Sequence, residues 1–288
     1  MSAPDTVPLS TEGVEIVDRD HVAGPLRFES FPAGTWLTKA GKPARKDKRG
    51  YYLNGAELDS VSSIVGLLDK PALAYWIEDH ASRGAVQAER MGELVDCPPE
   101  EIMHRVRALG LGSSAARDEG AARGHAIHAA FETLARTGES PNPQDFPTEW
   151  RPYVQGVARA WLALSPQAVH VEHMVCHPEL RYAGRLDLLA ECGGRATLVD
   201  WKTGRGKVYD AAHFQTRLYQ MALAQEDVAV DRIVIVGLDH DGGFQLVDCE
   251  ASEADALHLL WTFHARKRIN AGMANQRKGA KAAAKAAA

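Results

Sequence analysis

The chain has 288 residues, of which 45% are hydrophobic and 25% charged, so it is long enough for one large domain or two ordinary ones with a sizeable core. No apolar run approaches the ~18 residues that a membrane-spanning helix needs, and the polar N-terminus lacks the hydrophobic segment of a signal peptide. The net charge of −5 is not the global signature of a nucleic-acid-binding protein. We therefore expect a globular protein that stays in the cytoplasm.

The first 50 residues predict an extended arm that ends in a basic loop, because this segment has few aromatic residues and little periodicity. Its basic run is interrupted only by Asp47 and consists of Lys39, Lys42, Arg45, Lys46, Lys48 and Arg49. A second basic region begins after Asp255, beyond which the chain has seven basic residues and no acidic one. A solvated loop and a solubilising tail are the ordinary interpretation of such runs, and contact with phosphates is the alternative.

Residues 51–168 predict a short hairpin followed by helices. The hairpin turns at Asn54-Gly55, a pair that favours two-residue hairpin loops. Apolar periodicity then predicts helices over residues 63–68, 71–91, 99–109, 114–137 and 153–164. In the fourth of these, Gly124 and His128 lie one turn apart on the same face, and Gly138 ends the helix. A single histidine at such a position is more often a packed core residue than a ligand.

Strands dominate the prediction for residues 169–272. Side chains of a strand alternate between its faces, so the strand over residues 169–175 places Glu172 on one face and Val171 and Val175 on the other. The remaining predicted elements are a helix over 211–225, strands over 231–238 and 244–249, and a closing helix to about residue 269 with a frayed basic tail after it.

A further strand precedes the Gly193-Gly194 turn and carries an acid on its polar face. Alternation places Arg185 and Asp187 on one face of this strand, opposite Leu186 and Leu188. The two glycines predict a hairpin that pairs this strand with the next one along the chain.

The second strand of this hairpin brings another acid and a lysine to the same place. Asp200 and Lys202 share a face, opposite Trp201, so two carboxylates and an ammonium group converge when the strands pair. Crowded carboxylates repel each other, and burying them is costly unless a cation lies between them. Oxygen ligands suit magnesium or manganese, and a lysine beside such an ion stabilises a developing anion or positions a water. This set of groups indicates metal-assisted hydrolysis of a phosphodiester.

Four motifs occur in order along this part of the chain. They are Gly124-x-x-x-His128, Gly184-Arg185-Leu186-Asp187, Asp200-Trp201-Lys202 and Gln215-x-x-x-Tyr219. In this order and spacing the sequence resembles the PD-(D/E)XK nuclease superfamily. Within it the chain is most similar to the RecB-like exonuclease branch, which includes phage-type exonucleases and CRISPR-associated RecB-like nucleases. The resemblance covers residues from about 120 to 220.

The resemblance implies an α/β fold of the mixed α+β kind. Its restriction-endonuclease-like core would be a central mixed β-sheet flanked by helices, with an N-terminal helical subdomain as one wall of a DNA cleft. The implied organisation is an arm and basic loop over 1–50, a nuclease domain over 51–272 and a basic low-complexity tail over 273–288. Within the nuclease domain, 51–168 would form the helical wall and 169–272 the catalytic core.

The resemblance also implies the roles of the site residues. The metal ligands are His128, Asp187, Asp200 and the main-chain carbonyl of Trp201, and the catalytic set is Lys202 with Asp187, Asp200 and Glu172. Glu172 would hold a second metal or orient water, or would be an ordinary surface residue. The implied substrate contacts are Arg185, Gln215, Tyr219 and Thr203.

The implied cofactor is Mg²⁺ or Mn²⁺, and imidazole ligation favours manganese for activity in vitro. Some RecB-like relatives hold an iron–sulfur cluster through a group of C-terminal cysteines. The last cysteine here is the isolated Cys249, so no iron–sulfur cluster is predicted.

The predicted function is a metal-dependent DNA exonuclease of phage or bacterial recombination or repair. Its partner would be DNA, and the resemblance also implies a strand-annealing recombinase. The location would be the cytoplasm, which is the host's if the chain is phage-encoded. Alternatives are an endonuclease or RNA-directed nuclease on the same scaffold, a DNA-binding accessory protein without turnover, and a plain structural module.

Overall fold

A computed structural model describes residues 50–286 except 54, 55, 69, 70 and 205. The predicted arm, its basic run and the Asn54-Gly55 turn lie outside the described residues. None of the helices in the described ranges combines the length and apolar character that a membrane crossing requires.

Seven strands of the described residues form one mixed sheet. They are β1 (Tyr51–Leu53), β2 (Ala56–Ser60), β3 (Gln167–His177), β4 (Tyr182–Cys192), β5 (Arg195–Lys202), β6 (Arg232–Leu238) and β7 (Phe244–Asp248). The order across the sheet is β1-β2-β4-β5-β6-β7, with β3 paired to β4. The predicted hairpin of β4 and β5 is confirmed, since the strands pair antiparallel up to Cys192 and Arg195. Gly193 and Gly194 have φ of 60° and 78°, which suits a tight turn in which both residues are left-handed.

In the part of the chain that the structure describes, seven α-helices surround the sheet. They are α1 (Val61–Val65), α2 (Pro71–Arg90), α3 (Ile102–Ala108), α4 (Ser113–Thr137), α5 (Arg151–Leu164), α6 (Asp210–Leu223) and α7 (Glu253–Ala286). The predicted end of the last helix near residue 269 is wrong, because α7 continues to Ala286. No proline follows Ser252, and the alanines and lysines of this segment favour helix strongly enough that it continues through Gly272 and Gly279.

Two apolar clusters lie on opposite faces of the sheet. The α4 cluster includes Ile127, Phe131, Val157, Leu188, Val199, Trp201 and Val236. The α6 cluster includes Val61, Ile64, Val175, Leu186, Leu198, Leu218 and Leu260. Burial of these side chains is the main stabilisation of the three layers. The predicted class, a mixed sheet flanked by helices, is confirmed.

The alternation of side chains breaks in β3. Val171 packs against the α4 cluster, whereas Val175 belongs to the α6 cluster, so the prediction that they share a face is wrong. Between them Glu172 has a left-handed φ of 53°. Such a conformation is uncommon for a residue other than glycine, and here it turns the strand over.

The neighbouring strand β4 breaks at the matching position. Leu186 belongs to the α6 cluster and Leu188 to the α4 cluster, so the prediction that these leucines share a face is also wrong. The ladder pairs on either side of the break are Val171–Leu188 and His173–Leu186. Glu172 and Asp187 therefore lie opposite each other where both strands turn.

Candidate active site

The site lies at an open edge of β4. β5 pairs with residues 188–192 of β4, and β2 pairs with Tyr182 and Ala183. β3 pairs with one edge of β4, so β2 and β5 both pair with the opposite edge. Along that opposite edge no described strand pairs with residues 184–187. Asp187 lies in the gap, where its Oδ2 accepts a hydrogen bond of 2.8 Å from the Trp201 amide. The carboxylate thus takes the place of a strand partner.

Helix α4 brings His128 to the same gap. Its Nδ1 lies 3.5 Å from Asp187 Oδ1, and its Nε2 lies 3.1 Å from the main-chain oxygen of Trp201. One turn earlier on α4, a Cβ built on Gly124 would lie 3.6 Å from Thr203 Oγ1, which is ordinary contact. Packing against the described residues therefore leaves room for a side chain at position 124 and does not require glycine there.

Glu172 completes a compact group of ligand atoms. One ligand atom each from His128, Glu172 and Asp187 can be chosen so that all lie within 4.8 Å of one another. Glu172 Oε2 also lies 2.7 Å from the Nε of Arg185, whose side chain is about half exposed. The left-handed backbone at Glu172 thus occurs where the chain aims a third potential ligand into the site.

A second set of contacts runs from β5 to α6. Lys202 Nζ lies 2.6 Å from Asp200 Oδ2 and donates to Gln215 Oε1 at 3.2 Å. Gln215 Nε2 in turn donates to the Tyr219 hydroxyl at 2.9 Å. Gln215 and Tyr219 therefore fix the position of the lysine from the helix side.

Burial and neighbouring charges shift the pKa values of these groups. Burial by itself lowers the pKa of His128, but the charge and hydrogen bond of Asp187 outweigh it and raise the pKa to about 9. Burial, reinforced by the charge of Asp187 and opposed by Lys202, raises the pKa of Asp200 to about 6. For Asp187, burial is outweighed by His128 and Lys202, so its pKa is lowered. Burial of Lys202 is outweighed by both acids, so its pKa is raised and the lysine keeps its proton.

The residues present suit a divalent cation. Asp200 is 1% exposed, and its Oδ1 has no hydrogen-bond partner among the residues that the structure describes. A buried carboxylate oxygen without a donor, beside a second carboxylate, is costly unless a positive charge compensates it. Carboxylate oxygens, a main-chain oxygen and one imidazole form a donor set for magnesium or manganese rather than for a thiolate-preferring metal. The four cysteines are free thiols, and none belongs to this group.

The structure brings the predicted site residues into one connected region, with differences in their placement. Asp200 is not a member of the 4.8 Å group, and it joins the site through Lys202 and its charge interactions with Asp187 and His128. Arg185, a predicted substrate contact, pairs with Glu172. Thr203 lies beside Gly124 at the end of β5.

Gly184 is a site residue whose role is not among the sequence-based predictions. A Cβ at this position would collide with the Tyr219 ring, which is only 3% exposed. The signal was available, because a glycine inside a strand often marks close approach of another group.

Gly184→Ala is expected to displace the Tyr219 ring and so to weaken the Gln215–Tyr219 hydrogen bond. We expect overpacking to cost about 1–3 kcal/mol of stability and the rate of the chemical step to fall more than substrate affinity. Thermal melting and single-turnover kinetics measure the two effects. Gly120→Ala is the matched control, because a Cβ there meets only the Arg123 Nη2 at 3.9 Å. An unchanged melting temperature for Gly184→Ala would contradict the close packing.

The His128–Asp187 pair makes the stability of metal-free protein depend on pH. A histidine whose pKa rises from 6.5 to about 9 on folding contributes stability that is complete below pH 6.5 and is lost as pH rises through about 9. With chelator present, wild type should therefore melt above His128→Gln at pH 6, and the difference should vanish by about pH 10. His125→Gln, on an exposed position of the same helix, should follow wild type throughout. A constant difference between wild type and His128→Gln would contradict the assignment.

Comparison with known proteins agrees with this geometry. The sequence model of the PD-(D/E)XK nuclease superfamily matches residues 89–284. No curated protein matches the chain.

Several solved structures are weakly similar to this chain. The structure described as SSO0001 has 12% identity and a TM-score of 0.33, covering 72% of this chain and 74% of that one. The alkaline exonuclease LHK-Exo from Laribacter hongkongensis has 18% identity and a TM-score of 0.32, covering 55% of this chain and 85% of that one. Its complex with dAMP has a TM-score of 0.33 at the same identity and coverage. Similarity this weak adds nothing to the family match, which spans more than half of the sequence and shows that the chain belongs to the PD-(D/E)XK nuclease superfamily.

Proposed function

We propose that the chain is a metal-dependent DNA exonuclease that hydrolyses phosphodiester bonds in phage or bacterial recombination or repair. The observation that carries the proposal is the group of His128, Glu172 and Asp187, with ligand atoms within 4.8 Å, beside the Asp200–Lys202 pair. These are groups that hold a divalent ion next to a cationic donor.

The proposed ligands of the ion are His128, Asp187, Asp200 and the main-chain oxygen of Trp201, with Glu172 as a further ligand. When bound, a divalent ion supplies Lewis-acid chemistry, polarising the scissile phosphate and activating water. The Asp187 carboxylate holds the Trp201 amide at 2.8 Å, which keeps the neighbouring carbonyl in place. Second contacts of this kind orient ligands and reduce the reorganisation needed during catalysis.

Lys202 acts as a charged donor in this proposal. Its pKa is raised because Asp200 and Asp187 outweigh the effect of burial, so it carries a proton at neutral pH and is not a general base. A protonated amine held at 3.2 Å by Gln215 positions the attacking water or stabilises the charge that develops on the phosphate. Tyr219 and Gln215 serve as support, and Arg185 and Thr203 serve as substrate contacts.

The order and spacing of the four motifs support the exonuclease branch and DNA as the substrate. The proposal extends to a strand-annealing recombinase as partner, which only the resemblance implies, and to the cytoplasm as location, which is the host's if the chain is phage-encoded. An endonuclease or RNA-directed nuclease would use the same groups.

Digestion of defined substrates tests the proposal. Linear, nicked and circular DNA of equal length, and a matching RNA, are incubated with Mg²⁺ or Mn²⁺ and with chelator. We expect mononucleotides or short products from linear DNA, intact closed circles, and no cleavage with chelator. Cleavage of closed circles would identify an endonuclease, and preference for RNA would overturn the DNA assignment. Binding without any cleavage in either metal would indicate an accessory protein.

A further inference from the structure

Helix α7 runs past the body of the protein and forms a projecting arm. Ala256, Leu259 and Leu260 are buried in its first half. At the point where it leaves the body, His264 Nε2 lies 3.3 Å from Asp59 Oδ2 of β2, and Lys267 also pairs with Asp59. Every side chain described beyond that point is exposed. We define residues 268–286 as the C-terminal arm; at 1.5 Å per residue it is about 28 Å long.

The side of α7 that faces the body carries lysines at two positions farther along the helix. The buried Leu260 and half-buried Phe263 are followed at helical spacing by Lys267 and then by Lys278. The first two spacings are three and four residues, and the eleven residues from Lys267 to Lys278 are about three turns, so all four positions lie on one side of the helix. The positions of Lys281 and Lys285 continue the same series in the sequence.

Charge on the arm has a single sign. Its basic residues are Arg268, Arg277, Lys278, Lys281 and Lys285, and no acidic residue follows Asp255 in a chain whose net charge is −5. The described side chains of these residues form no ion pair in the described part of the chain, in contrast to Lys267, which is tied to Asp59. Like charges along one helix face repel and reduce helix stability, so a polyanion on this face would stabilise the arm.

The arm lacks the features of a protein-binding helix. Its exposed large apolar side chains are Ile269 and Met273, 61% and 45% exposed, and the other residues of the arm are small, polar or basic. A stable dimer needs about 800 Å² on each partner with an apolar centre, which two such side chains do not supply. A phosphate backbone, by contrast, is bound by spaced basic side chains without apolar contact.

We propose that the C-terminal arm binds the phosphate backbone of DNA outside the catalytic cleft. The inference rests on the proposed function, which makes DNA the substrate, and it adds a second contact region anchored to β2 through Asp59. An arm of about 28 Å spans about eight base pairs at 3.4 Å each. The contact is electrostatic, so it strengthens binding without reading sequence.

The test compares DNA binding of two matched sets of substitutions in a Lys202→Ala background, which keeps the DNA intact. The neutral set is Arg277→Gln, Lys278→Gln, Lys281→Gln and Lys285→Gln. The control set keeps the charge: Arg277→Lys, Lys278→Arg, Lys281→Arg and Lys285→Arg. Binding to a 40-base-pair duplex is measured from 50 to 300 mM salt, with circular dichroism to compare helix content and light scattering to measure molar mass.

The neutral set is expected to bind at least about tenfold more weakly at 100 mM salt, and its plot of log K against log salt should be shallower by about two to four, since each phosphate contact contributes about 0.9. The control set should match the background. Equal slopes for the two sets, or a molar mass that falls from dimer to monomer with the neutral set, would overturn the inference. Failure of wild-type cleavage would overturn the proposed function instead, and the salt slopes would still decide the role of the arm.

Discussion

Lys202→Ala is expected to lower the cleavage rate by at least about 10²–10³-fold while DNA binding changes only a few-fold. The reason is that Lys202 is protonated beside Asp200 and is aimed by Gln215, so its removal deletes charge stabilisation at the reacting phosphate rather than a general phosphate contact. Single-turnover cleavage of end-labelled linear DNA and anisotropy with the same DNA in Ca²⁺ measure the two quantities separately.

Lys207→Ala is the matched control for that experiment, because Lys207 is an exposed lysine in the loop that follows β5. Its loss removes one positive charge near the site and should weaken binding slightly without slowing the chemical step. If Lys202→Ala lost binding and kept its single-turnover rate, the lysine would be a substrate contact and not a catalytic group.

Asp200→Asn is expected to abolish metal-dependent cleavage without lowering the stability of the metal-free protein at pH 8. Asp200 is buried, and its pKa is raised to about 6. Protonation of Asp200 therefore stabilises the folded state, fully below pH 3.8, and this stabilisation is lost as the pH rises through about 6. At pH 8 the ionised carboxylate is unfavourable in the folded state even beside Lys202, and the isosteric amide removes that charge while Asp187 still compensates Lys202. Melting temperatures with chelator and with 5–10 mM Mn²⁺ test this: the metal should raise the melting temperature of wild type and leave that of the variant unchanged.

Asp187→Asn provides the contrasting result. The pKa of Asp187 is lowered, chiefly by His128, and its Oδ2 accepts the Trp201 amide, so loss of its charge should lower the melting temperature even without metal. A stabilised Asp187→Asn together with a destabilised Asp200→Asn would show that the two acids have been assigned the wrong environments.

Local sequence signals predicted most elements of the fold. The hairpin glycines at 193–194, the helix stop at Gly138 and the apolar period of α4 and α6 each act within a few residues, so they are readable without tertiary information. The break at Glu172 and Asp187 was not predictable in this way. It lies where β2 and β5 share one edge of β4, which is a relation between distant segments.

The same limit applies to the candidate site. The four motifs predicted which residues lie together in the candidate site, but alternation alone placed Asp187 on a regular strand face. In the structure its carboxylate accepts a main-chain amide, and Glu172 rather than Asp200 completes the compact group. The closeness of Gly184 to Tyr219 also required the packing of α6 on β4, which no local pattern encodes.

Trp201 connects the interior of the protein to its chemistry. Its indole is fully buried with its ring centroid 4.4 Å from that of Phe131, while its main-chain oxygen faces His128. No substitution at 201 can delete that oxygen, but a void opened at Phe131 can shift it. Substitutions away from any polar residue can therefore impair catalysis. A screen for inactive variants should also recover substitutions of buried apolar residues in the α4 cluster.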